Sequence, residues 1–169
     1  MKKIRIIILS ISVIFNVVIF YKMYDIQKGE QNSNEEKMKN TVNQYFQLVK
    51  TKKTKEIPKL FWQGDKYVGA IQSEAYFLHN HYNELKIDEL LKNIKVKDTL
   101  ALYTNQKQHY IQFKIKKNED NLPLIITFTF DEMFGLDKLQ SPIILENHMY
   151  WNKSLDSLNK KGIFPTNKF

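Results

Sequence analysis

The 169-residue chain contains no cysteine, which excludes a disulfide framework, a thiolate metal site and a thiol nucleophile together. Arginine is nearly absent as well, with Arg5 standing alone among 26 basic residues. Phosphate and guanine recognition favour the two-pronged guanidinium, so a net charge of +8 carried on lysine reads as a solvated surface. No nucleic-acid partner is expected. Glycine and proline are scarce, at five and four residues. There is no glycine-rich phosphate loop and no Gly-x-Ser-x-Gly elbow, and no catalytic constellation stands out. Enzyme chemistry, a cofactor and a metal are therefore not expected.

What the chain does have is periodicity. In residues 110–116 the apolar side chains Ile111, Phe113 and Ile115 alternate with Gln112, Lys114 and Lys116. In residues 122–130 the apolar phase is Leu122, Leu124, Ile126, Phe128 and Phe130. Alternate side chains leave a strand on opposite faces, so each run has one apolar and one wettable face. The polar stretch 117–121 between them suits a hairpin closure. A first strand is expected over 94–104, and a fourth, irregular at Pro142, over 139–146.

Before the strands come helical stripes. Met38, Val42, Tyr45, Phe46 and Val49 lie on one face of a helix expected over about 35–53. A brief element is expected at 54–61, where Pro58 tolerates only a first turn. Ile71, Ala75, Leu78, Tyr82 and Leu85 mark a third helix. Residues 62–69 read as a loop.

At the N-terminus, residues 6–21 form an apolar run preceded by Lys2, Lys3 and Arg5. With its flanks the run is long enough to be expected as one transmembrane helix. No small-x-small pair follows it, so a retained anchor is favoured over a cleaved signal peptide. The expected plan is an anchor at 1–26, a flexible tether at 27–34 and an extracytoplasmic domain at 35–169. The N-terminus would lie in the cytoplasm and the domain would face outward from a cell membrane.

Helices followed by an antiparallel meander make an α+β architecture. In element order, residues 35–146 resemble the NTF2-like superfamily, of cystatin-like layout, in which N-terminal helices pack into a curved antiparallel β-meander. That resemblance implies a cone-shaped cavity and frequent dimerisation. The expected function is a membrane-anchored binding or scaffold domain of the bacterial envelope, with a homodimer or an envelope protein as partner. The alternative is a small-ligand carrier or cavity enzyme of the same fold.

Candidate binding residues follow from rings and threonines that no periodic pattern requires. Trp62 and Tyr67 stand in the loop, and Tyr150 and Trp151 in the tail. Tyr110, Ile125 and Thr127 lie on the wettable sheet face. His79 and His81, two apart on a helix, are about 200° apart around its axis and do not converge on a metal. His109, opening the central strand, is a candidate base with Tyr103, Tyr110 and Asp131 as partners, and His148 follows the fourth strand.

Overall fold

A computed structural model describes residues 2–100, 107–116, 123–140 and 142–148, with side chains placed from residue 15 and not at 100. The chain divides into two compact units, Met1–Lys37 and Met38–Phe169. One helix, α1 (Lys2–Lys50), contributes to both.

Residues 27–34 are not a flexible tether but continue α1 without a break. Gln27, Lys28, Glu30 and Gln31 are good helix formers, no proline interrupts them, and a single Gly29 costs about 1 kcal/mol, too little to break the helix. The membrane anchor is overturned too. Among the described residues, no helix is long and apolar enough to cross a membrane. A span of about 20 residues beginning at Phe15 takes in Lys22, Asp25, Lys28 and Glu30. The single-pass topology, the membrane as partner and the outward-facing location rested on that anchor and lose their support with it.

In the larger unit, α1 buries Met38, Val42, Tyr45, Phe46 and Val49, the stripe expected of it. Past Lys50 the chain turns back through left-handed Lys52, and a short 3-10 turn at Ile57–Leu60 accepts Pro58 in its opening positions. The stretch expected as loop contains a second 3-10 turn, Gly64–Tyr67, leading into α2 (Val68–Asn80). Helix α2 buries Ile71, Ala75 and Leu78 and stops at Asn80. The poor helix formers Asn80, His81 and Asn83 explain the early end. Tyr82 and Leu85 are nonetheless buried, from the turns before the short α3 (Ile87–Leu90).

Four antiparallel strands follow in the order β1 (Val96–Leu100), β2 (Lys107–Ile115), β3 (Leu124–Asp131), β4 (Ile144–Glu146). The β2–β3 register sets Ile111 against Phe128 and Phe113 against Ile126, so the apolar phases of both strands share a face. Ile111, Phe113, Leu124, Ile126, Phe128 and Phe130 are all buried. Strand β4 is shorter than expected, since Pro142 withholds a ladder N–H. Leu139 makes only an isolated bridge to Phe61.

The fold is α+β, but among the described residues the sheet is an open meander with β1 and β4 at its edges and is not closed into a cone. That corrects the NTF2-like, cystatin-like expectation. Three-residue β4 is too short to carry the curvature such a cone needs. The space a cone would enclose is filled by rings: Tyr45, Phe46, Phe113 and Phe128 meet edge to face at centroid distances of 5.2–6.2 Å.

Candidate functional site

Outside this ring cluster, α2 presents a second face. Ala70, Ser73, Glu74 and Phe77 step along it at helical spacing and, with Leu145 of β4 and His148, line a cavity of about 300 Å³. The site is built by local rules. Glu74 lies between Ile71 and Ala75 on the stripe that α2 turns inward, so its carboxylate is held at the edge of the core. The carboxyl accepts a hydrogen bond from the Ile143 backbone N–H just before β4. On the other side, Asn147 adopts a left-handed conformation and its amide donates to the Pro123 carbonyl at 2.9 Å. That turn sets His148 edge-on to Phe77, with ring centroids 5.7 Å apart.

Glu74 Oε2 is shut off from solvent and has no hydrogen-bond partner among the described residues. Few buried polar atoms in folded proteins go unpaired, so each calls for an explanation, an ordered water, strain or a functional role. Burial pushes the Glu74 carboxyl up from its ordinary 4.5 to about 7, and the hydrogen bond from Ile143 only partly offsets this. Behind it stands Tyr45, wholly buried, whose hydroxyl also has no partner among the described residues. Burial first, and then the charge of Glu74, hold that phenol well above its ordinary value. Two buried oxygens without partners among the described residues, Glu74 Oε2 and the Tyr45 hydroxyl, therefore lie near enough for the one to raise the other's proton affinity.

A stability consequence follows, with its sign set by the raised value. An acid with a higher pKa folded than unfolded binds its proton more tightly when folded, so stability falls as pH rises from 4.5 through about 7. Glu74→Gln cannot ionise. In urea unfolding the variant should match the parent at pH 5 and exceed it at pH 8; equal midpoints at both pH values would show that ionisation of Glu74 costs the fold nothing.

The residues expected from sequence lie elsewhere. Trp62 stacks on Phe134, with centroids 3.9 Å apart, and Tyr67 is exposed at the start of α2. Tyr110, Ile125 and Thr127 lie on the outer sheet face. Tyr110 and Ile125 are half-buried there, and Thr127 is buried and accepts from Gln112. Tyr103, Tyr150 and Trp151 lie outside the described residues. Neither Trp62 nor Tyr67 is among the described residues that line the α2 cavity.

His109 is not poised as a base in a cavity. It is buried, with Nδ1 2.8 Å from Asp98 and Nε2 3.2 Å from Glu132, so both ring nitrogens are engaged. Asp98 also meets Lys107 at 3.0 Å; that hydrogen bond chiefly, with a smaller contribution from His109, holds its carboxyl below the ordinary range. Tyr110 faces the opposite side by strand alternation, and Asp131 accepts from the Met133 N–H. These groups pin the β1–β2 end of the sheet. His79 caps the end of α1 at the Val49 carbonyl, 2.8 Å away, and His81 meets Glu84 at 2.9 Å.

Of the α2 cavity, sequence reasoning singled out only His148, as the residue after the fourth strand. Glu74 was missed, although a signal was there: it stands three residues after Ile71 and four before Leu78, an acid on an apolar stripe. No family model matches the chain, and no curated protein or solved structure is significantly similar to it.

Proposed function

We propose that the unit from Met38 onward is a small-ligand-binding domain whose ligand occupies the cavity between α2 and the end of β4. The observation that carries this reading is the cavity of about 300 Å³, in which apolar and polar side chains of α2 meet Leu145 and His148. That volume is at the small end of ligand sites, which combine an apolar lining with a few convergent polar groups. Phe77, Leu145 and Ala70 supply the lining, and Glu74, Ser73 and His148 the polar groups. The membrane-anchored scaffold is not retained, because its anchor is not supported among the described residues.

The test is amide-shift mapping on the 169-residue chain against a fragment library. Ligands should move the amides of Ala70, Ser73 and Leu145 together. Ser73 is exposed, so Ser73→Trp should fill the cavity and leave the fold intact while abolishing those shifts. Fragments that map elsewhere, or bind Ser73→Trp unchanged, would overturn the proposal.

A further inference from the structure

At the other end of the sheet, the buried His109 ring is held at both nitrogens by acids. Nδ1 lies 2.8 Å from Asp98 Oδ1 on β1, and Nε2 lies 3.2 Å from Glu132 Oε1. Glu132 opens a 3-10 turn, Glu132–Phe134, that continues from the end of β3. A neutral imidazole has one N–H and one lone pair, so it satisfies one carboxylate and turns a lone pair on the other. Only the doubly protonated ring donates to both, and losing either proton breaks one of the two links. The charged groups that meet the ring are Asp98 of β1 and Glu132 of the turn, and Lys107 of β2 joins them through Asp98, 3.0 Å away. Phe130, opposite the ring on β3, is apolar, and Asp131 leaves the other face of that strand. The Asp98 contact is the shorter, and Lys107 holds that carboxylate in place. Glu132 is 57% exposed and free to turn to water.

We propose that His109 is a proton-operated clasp on this turn: with two protons it ties Glu132 to the sheet, and with one it keeps Asp98 and releases Glu132. The turn carries Phe134, whose ring stacks on Trp62 with centroids 3.9 Å apart. Trp62 is fixed independently, by its N–H donating to the Leu139 carbonyl. Release costs the turn a charge-assisted tie and leaves it the hydrogen bond from the Met133 N–H to Asp131. Phe134 then moves off an indole that stays in place, and an aromatic surface opens when the proton leaves.

NMR of the 169-residue chain from pH 5 to pH 9 spans the range in which histidine ordinarily changes charge. Two signals are followed: the protonation of each His109 ring nitrogen, and the indole ring of Trp62, assigned by its absence from Trp62→Phe. At pH 5 both nitrogens should carry protons and the Trp62 indole should show the ring-current shift of the stacked Phe134. As Nε2 loses its proton, that shift should be lost with the same midpoint. Glu132→Gln should hold the Trp62 signals constant throughout, because its amide accepts from the charged ring and donates to the bare Nε2 of the neutral one. Asp98→Asn should do the same, since an amide at Nδ1 lets the neutral ring donate to Glu132 from Nε2. Glu74, pushed up to about 7, titrates in the same span but is intact in both variants. A Trp62 response that persists in either one therefore arises elsewhere and overturns the proposal. So does a ring that keeps one protonation state from pH 5 to pH 9, a proton lost from Nδ1 instead of Nε2, or a Trp62 indole that holds still while Nε2 is deprotonated.

Discussion

Phe128→Ala is expected to cost the domain about 3–5 kcal/mol of unfolding free energy, the range for truncating a fully buried phenylalanine. The Phe128 ring has no exposure and is the hub of the aromatic cluster, within 5.2 Å of Tyr45, 5.4 Å of Phe46 and 6.2 Å of Phe113. Its loss removes transfer free energy and several edge-to-face contacts at once, and rings held by α1 on one side and β2 on the other cannot collapse into the gap. Ile125 provides the control. It sits on the outer face of the same strand, half-buried, opposite Lys114 and Glu146. Ile125→Lys should cost under about 1 kcal/mol, as outward substitutions usually do. Urea unfolding of the two variants beside the parent makes the comparison; equal losses would mean the faces of the sheet are wrongly assigned.

Gly64→Ala should cost about 3 kcal/mol, the upper end of overpacking penalties. The backbone at Gly64 lies directly on the carbonyl of Pro58, and a Cβ there would overlap that carbonyl oxygen. Neither partner can yield easily. Pro58 is locked into the 3-10 turn by its own ring, and the following residues are tied to Leu139 on both sides. Trp62 N–H donates to the Leu139 carbonyl at 2.7 Å, and Leu139 N–H donates to the Leu60 carbonyl at 2.9 Å. The alanine must therefore push α2 and the α1–α2 corner apart. Gly69, which has nothing within 4 Å of its missing Cβ, is the matched control, and Gly69→Ala should be neutral or slightly stabilising within α2. Thermal unfolding of both variants decides it, and a Gly64→Ala variant as stable as Gly69→Ala would refute the close approach.

The helical stripe of α1, the stripe of α2 and the alternation of β2 and β3 were legible because burial follows period directly. Where period is silent, the reading failed. Residues 27–34 look like a tether by composition, but a helix already committed on both sides carries Gly29 through. The apolar run at 6–21 looks like a span by hydropathy. Among the described residues, though, no helix is long and apolar enough to cross a membrane, and a span beginning at Phe15 takes in Lys22, Asp25, Lys28 and Glu30. Element order suggested a cone, yet order does not record how long β4 is, and Pro142 shortens it. Glu74 was hidden for a different reason. Helical phase puts it on the buried stripe, but an isolated acid there is ordinarily assumed to reach solvent. That its Oε2 does not depends on β4 and Ile143 arriving from about seventy residues further along the chain, a tertiary fact with no local signature.

The α2 cavity requires that β4 and Ile143 bury the Glu74 carboxyl against α2, and that burial can be observed directly. The side-chain carboxyl carbon of Glu74, assigned by comparison with Glu74→Gln, is followed by carbon-detected NMR from pH 3 to pH 9 without ligand. A carboxyl buried there, with the Ile143 N–H offsetting burial only in part, predicts a midpoint near 7. A midpoint near the ordinary 4.5 would mean that the carboxyl is fully hydrated, and would contradict the site.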